Sequence, residues 1–215
     1  MPVSTDGVLL GAWINAEQND TILDIGAGTG LLSLMCAQRF LCAQISAIEI
    51  NQDAFSTALI NFQRSNWTNR LHLIHANILD WETTNTFDTI VCNPPYFTSG
   101  EQSHSINRAL ARHTDALPHT QLLKVSAQLL KPHGKASFIL PQFEGAEFIS
   151  LAKDSGWSVS RLCQVSPTQS KPVNRLLIEL SLQEHKTKHT KLIINESGQY
   201  TEEFVTLTKD FYLKM

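Results

Sequence analysis

Long apolar runs are missing from this sequence. Nowhere in the 215 residues are there the roughly 18 to 20 continuous apolar side chains of a membrane-spanning helix, and no basic segment followed by an apolar one stands at the N-terminus. These absences point away from the membrane and from secretion, and the expectation is a cytoplasmic protein. Cysteine is sparse as well. Cys36, Cys42, Cys92 and Cys163 fall at neither zinc-ligand nor redox spacing, and four thiols in a chain this long do not make a disulfide framework. They read as buried thiols, and no metal centre is expected. Internal repeats and low-complexity tracts are also lacking. What is present is ordinary for a globular protein: 42% apolar residues and 17% charged residues, enough for one domain over 1–215 with its own core.

The formal net charge of −3 conceals an asymmetry. Residues 1–97 hold nine acids against three bases, Arg39, Arg64 and Arg70. Residues 98–135 reverse this, with Arg108, Arg112, Lys124, Lys131 and Lys135 facing only Glu101 and Asp115. Such a local positive field suits a phosphate-bearing partner, although it is weaker than the basic face of a dedicated nucleic-acid-binding domain; a solvated surface explains it equally well.

Apolar periodicity alternates along the chain. Short β-branched runs at 21–25, 44–49, 71–75 and 87–92 read as strands, with helices at 31–40 and 53–64 between them. Beyond a polar loop at 98–117, Pro118 begins a helix to Leu130 that Lys131-Pro132-His133-Gly134 ends. Residues 136–140 are then strand and 145–155 helix, and 157–165 with 175–182 close the fold as a strand pair. The pattern predicts an α/β domain whose mostly parallel sheet is covered on both faces and ends antiparallel, followed by a C-terminal extension at 183–215.

After the first strand comes Asp24-Ile25-Gly26-Ala27-Gly28-Thr29-Gly30. Glycines there allow a tight turn and a close approach of ligand to backbone, and the next helix offers free N–H groups. A dinucleotide fingerprint would need glycine at 31, where Leu31 stands; the spacing is G-x-G-x-G. With Asp24 it resembles the cofactor motif of class I S-adenosylmethionine-dependent methyltransferases, which implies a Rossmann-like fold with a seven-stranded sheet. The resemblance further implies that Glu49, ending the second strand, holds the ribose hydroxyls. Asn77 and Ile78, after the third strand, would bracket the adenine, with Asn77 standing where the family usually has a carboxylate.

The fourth strand runs into Asn93-Pro94-Pro95-Tyr96. Two prolines cannot continue a ladder, so Asn93 and Tyr96 are held on a stiff turn at a strand's carboxyl end. The stretch resembles the N-P-P-Y motif of methyltransferases acting on conjugated amines such as the adenine 6-amino group or a glutamine amide. The nitrogen lone pair in such amines is delocalised, and two acceptors must hold its protons to bias it toward tetrahedral geometry. By resemblance these are the Asn93 amide oxygen and the Pro94 carbonyl, with Tyr96 as a stacking face and Pro95 beside it. Asn93 also borders the cofactor. No general base is needed, because positioning dominates.

Three further stretches resemble the bacterial tRNA adenine N(6)-methyltransferases that modify the adenine beside the valine tRNA anticodon. They are Thr5-Asp6-Gly7-Val8-Leu9-Leu10-Gly11-Ala12-Trp13, Arg108-Ala109-Leu110-Ala111-Arg112-His113, and the C-terminal Tyr200–Phe204 and Asp210–Leu213. The resemblance covers essentially the whole chain. It implies S-adenosylmethionine as cofactor, held also by Thr5, Asp6 and Gly7, and a tRNA anticodon stem-loop as partner, touched by Arg108 and Arg112. It implies a monomer or weak dimer. Members of that family carry a longer basic and aromatic stretch before the T-D-G segment. Release-factor glutamine methyltransferases share N-P-P-Y but add an N-terminal helical domain, and ribosomal guanine methyltransferases tend to N-P-P-F and a duplicated domain. A third alternative is an RNA-binding module that has lost catalysis. Intact Asp24, Gly26, Gly28, Gly30, Glu49 and Asn93 argue against it.

Overall fold

The fold is described from a computed structural model of the chain, for residues 4–95 and 117–212. In chain order the elements are α1 (Thr5–Trp13), β1 (Thr21–Ile25), α2 (Leu31–Arg39), β2 (Gln44–Glu49), α3 (Gln52–Arg64), β3 (Leu71–His75) and β4 (Phe87–Cys92). Then follow α4 (His119–Leu129), β5 (Leu130–Pro141), α5 (Gln142–Asp154), β6 (Ser158–Thr168), β7 (Arg175–Ser181), β8 (Lys188–Glu196), β9 (Gln199–Tyr200) and α6 (Glu202–Thr208). They form one sheet in the order β3-β2-β1-β4-β5-β7-β6-β8-β9. β1 to β5 are mutually parallel, and β7 runs against both β5 and β6.

This order decides where a ligand can sit. From β1 the chain moves outward through β2 and β3, then returns to place β4 on the other side of β1. The connections leave β1 and β4 in opposite directions and open a crevice at their carboxyl ends. Gly26 and Asn93, the residues that follow these two strands, both border it.

The strands predicted from periodicity are present, because buried parallel strands are short, β-branched and bounded by turns. Three differences have physical causes. α1 has apolar residues all round, so it lacks a helical stripe; it is buried from Gly7 to Trp13 and capped by Ser4, whose hydroxyl accepts from Gly7 N–H at 3.1 Å. Its two glycines permit close helix packing. A Cβ on Gly11 would stand 2.5 Å from Met35 Sδ, and one on Gly7 would stand 3.0 Å from Leu31 Cδ2, both on α2.

Pro132 and Gly134, predicted to close a helix, lie inside β5 instead. The pairing of β4 with β5 slips between Phe87 and Thr89, an irregularity that takes up the missing proline N–H. The third difference lies in the segment beyond residue 182. Predicted as an extension to a seven-stranded sheet, it adds β8, β9 and α6 to the same domain: nine strands are found among the described residues, and Leu192 and Phe204 are core side chains. Among those residues no helix is long and apolar enough to cross a membrane.

Candidate active site

Three glycines of the β1–α2 turn have positive φ, +71° at Gly26, +59° at Gly28 and +84° at Gly30, a region costly for other residues. The turn is pinned to β2. Gly26 and Ala27 donate to the Ile48 carbonyl at 2.9 and 3.0 Å, and Gly28 N–H donates to Glu49 Oε2 at 2.7 Å. The other Glu49 oxygen accepts from Asn51 N–H at 2.7 Å. Glu49 is buried and charge-assisted on both oxygens, yet each oxygen keeps a second lone pair for a hydroxyl donor.

Space around the turn is unequal. A Cβ on Gly26 would meet nothing within 4 Å among the described residues, so that side of the turn is open among them, whereas a Cβ on Gly30 would collide with the Phe62 ring. Gly26 faces a cradle and Gly30 a wall.

Asp24 lies beneath the turn with no exposure. Its Oδ2 accepts from the Ser33 hydroxyl at 2.6 Å and from Ser33 N–H at 3.1 Å, tying β1 to the first turn of α2. Its Oδ1 has no partner among the described residues. Burial pushes the Asp24 carboxyl up to about 7; the Ser33 hydrogen bonds pull against this, and the nearby Glu49 charge adds to it.

After β3, Asn77 is engaged locally. Its Oδ1 accepts from Leu79 N–H at 3.1 Å and its Nδ2 donates to Asp80 Oδ2 at 2.8 Å, which leaves one Oδ1 lone pair for an adenine amino group. Ile78 is buried in the core. The more available apolar surface is Ile50, directly after Glu49 and 57% exposed. An exposed β-branched residue at a buried strand's end is the signal that sequence reading passed over, since without burial it looks like any continuation of β2. A groove of about 860 Å³ opens between the β3–β4 connection and α4, lined by Ile78, Trp81, Val125 and Gln128. The glycine turn and Asn93 are not among its lining residues.

On the β4 side, Pro94 is buried and Pro95 exposed. The Asn93 Oδ1 is sealed from solvent and has no hydrogen-bond partner among the described residues. A buried amide oxygen left without a donor is costly, and a ligand donor could satisfy it. Behind it, burial drives the Cys92 thiol well above its ordinary range, so it stays protonated and apolar. Tyr96, Arg108 and Arg112 lie outside the described residues.

The opening segment reaches the same edge of the sheet. Asp6 Oδ2 accepts from Arg175 Nε at 2.8 Å, and Arg175, starting β7, pairs with Pro141 at the end of β5. Gly7 is buried and its N–H is spent on Ser4, so its contribution is packing against Leu31, while Thr5 remains exposed. Arg175 is a site-edge residue that nothing in the local sequence distinguishes; its partner is 169 residues away.

The donor and acceptor set fits S-adenosylmethionine. Gly26 leaves an open cradle, Glu49 offers free acceptor capacity to vicinal hydroxyls, and at the crevice the Asn93 oxygen has no partner among the described residues.

Comparison with known proteins agrees with this fold. Residues 7–155 match the family model of the methyltransferase small domain. The chain is 54% identical over 215 residues to the tRNA1(Val) (adenine(37)-N6)-methyltransferase of Vibrio campbellii, covering 100% of itself and 90% of that protein. It is 51% identical to the enzyme of that name from Aliivibrio salmonicida, covering 92% of it. Among solved structures, a predicted O-methyltransferase from Agrobacterium tumefaciens superposes with a TM-score of 0.74 at 17% identity, over 95% of this chain and 96% of that one. The glycopeptide N-methyltransferase MtfA complexed with S-adenosyl-L-methionine gives 0.59 at 13% identity, over 85% of this chain and 100% of that one. These likenesses show the fold, and the sequence identity shows the family: the chain is a methyltransferase and belongs to the family of the tRNA1(Val) (adenine(37)-N6)-methyltransferases.

Proposed function

We propose that this protein transfers a methyl group from S-adenosylmethionine to the 6-amino group of an adenine in a tRNA anticodon loop, at position 37 of a valine tRNA. The observation that carries the reading is the buried Asn93 Oδ1 at the crevice, without a partner among the described residues. When bound, S-adenosylmethionine supplies a methyl on a strongly electrophilic sulfonium. The chain's own task is then to hold the amine. Asn93 Oδ1 accepts one amine proton, and the Pro94 carbonyl, fixed by the Pro-Pro turn, accepts the other. These bonds strengthen as the nitrogen becomes tetrahedral and its protons grow more acidic, so they favour the transition state over the bound base. The proton is lost after methyl transfer.

Cofactor contacts are assigned to Thr5, Asp6, Gly7, Asp24, Gly26, Gly28, Gly30, Glu49, Asn77, Ile78 and Asn93, to which the exposed Ile50 is added as an apolar wall for the adenine. Pro95, Tyr96, Arg108 and Arg112 are assigned to the RNA. An anticodon-loop base is already single-stranded, so presenting it costs only a few kcal/mol. The protein acts as a single domain, monomer or weak dimer, in the cytoplasm, where tRNA is found.

The test is methyl transfer from labelled cofactor to unmodified tRNAs, followed by nucleoside analysis. N(6)-methyladenosine in valine tRNA is expected. Labelled methylglutamine on a release factor, with no label in tRNA, would overturn the reading.

A further inference from the structure

The start of β8 and the three residues before it carry a concentration of positive charge that the site does not use. Residues 185–191 read His185-Lys186-Thr187-Lys188-His189-Thr190-Lys191, without an acid. Both histidines and all three lysines are exposed, and none of the lysines has an ion-pair partner among the described residues. Elsewhere the bases of the sheet are occupied: Lys131 with Asp88, Arg161 and Lys135 with Glu179, Arg175 with Asp6.

The backbone there is also free. On its inner side β8 pairs with β6 from Lys188 onward, but on its outer side β9 reaches only Asn195 and Glu196. Thr201 takes the Ile193 and Ile194 carbonyls. Among the described residues, 188–192 thus present an open strand edge. Side chains alternate along it: Lys188 lies on the face that continues to buried Leu192, and His189 and Lys191 on the opposite face. Charge therefore gathers along the rim from both sides, which suits a phosphate chain following the rim better than a flat patch on one face.

Register ties this rim to the site. Lys191 pairs with Gln164, Gln164 with Leu176 and Leu176 with Leu140, two residues past Phe138, the partner of Cys92. Lys191 thus stands at the level of Pro94, and Lys188, through Arg161, Glu179 and Ser137, at the level of Val91. Four strand spacings separate β4 from β8, roughly 19 Å at about 4.8 Å each.

We infer that the rim of β8, with Lys186, Lys188 and Lys191, is a docking surface for the RNA phosphate backbone, holding the stem of the substrate while its loop occupies the crevice. The lysines neutralise phosphates and the open N–H groups donate to their oxygens, contacts that position without reading sequence. The inference rests on the tRNA reading above. Lysines on an edge strand also guard against pairing with another chain, so the same residues have a competing explanation that makes a different prediction.

The experiment compares the full chain with its Lys186→Gln/Lys188→Gln/Lys191→Gln variant, using an unmodified valine tRNA transcript. Dissociation constants are measured across a salt series, with S-adenosylmethionine binding and melting temperature as controls. If each lysine contacts one phosphate, the slope of log affinity against log salt should fall by roughly 2 to 2.7, with cofactor binding unchanged. An unchanged slope overturns the inference, and with increased self-association of the variant it assigns the lysines to edge protection. Failure of the tRNA reading is distinguishable, because the unaltered protein would then methylate no tRNA at all.

Discussion

Glu49 Oε2 accepts from the Gly28 N–H at 2.7 Å, so the carboxylate at the end of β2 holds the glycine turn at the end of β1. One residue thereby shapes the turn, and it is also the residue proposed to hold the ribose hydroxyls. Glu49→Gln replaces one acceptor oxygen by an NH₂ that faces a backbone N–H, either Gly28 or Asn51. A lost hydrogen bond to a charged acceptor costs about 1.5–3 kcal/mol. Both thermal stability and S-adenosylmethionine affinity should fall, measured by melting and by titration calorimetry. Unchanged affinity would remove Glu49 from the cofactor site.

Gly26→Ala and Gly30→Ala separate binding from folding. Both positions have positive φ, so each substitution carries a similar backbone strain of about 1–2 kcal/mol. Only Gly30→Ala also drives a methyl into Phe62. Gly26→Ala should retain the fold and lose cofactor binding, while Gly30→Ala should lower the melting temperature considerably more. Equal losses of stability in the two variants would contradict the open cradle at Gly26.

Asn93→Ala should reduce single-turnover methylation at least about a hundredfold, on the order of 3 kcal/mol, with cofactor and tRNA affinities within a few-fold of wild type. Because the Asn93 oxygen is buried without a partner among the described residues, its removal should leave the melting temperature unchanged or raise it. Near wild-type turnover would refute the amine-holding role and direct the search toward stronger nucleophiles.

The pH dependence of stability should carry the signature of Asp24. Its carboxyl is raised from 3.8 to about 7, so the folded chain binds this proton more tightly than the unfolded one does. The contribution is therefore complete below about pH 4 and is lost as the pH rises through 7. Asp24→Asn can still accept from Ser33 and never ionises. Without cofactor, the variant should gain stability relative to wild type between pH 5 and 8, by on the order of a few kcal/mol. A constant difference across that range would place the Asp24 titration elsewhere.

Local pattern was enough for much of this protein. β1 to β4 and the helices after β1 and β2 announce themselves through period and turn residues, because each buried parallel strand must be apolar and each connection must break it. Asn93-Pro94-Pro95 and Gly26-Ala27-Gly28-Thr29-Gly30 declare stiff or open turns by composition alone, since only those residues tolerate the backbone required. What depends on partners distant in sequence was not legible. α1 shows no amphipathic stripe because it is covered on every side, and β8 is mostly exposed, so its place in the sheet rests on pairing with β6. Similarly, the capping of Glu49 by Gly28, the engagement of Asp6 by Arg175 and the isolation of the Asn93 oxygen are properties of positions that only folding brings together. The sequence by itself determined which chemical groups stand at the ends of β1, β2 and β4. Tertiary structure decided which of those groups are satisfied by the protein and which are left for a ligand, because hydrogen bonding and desolvation depend on neighbours that no local pattern specifies.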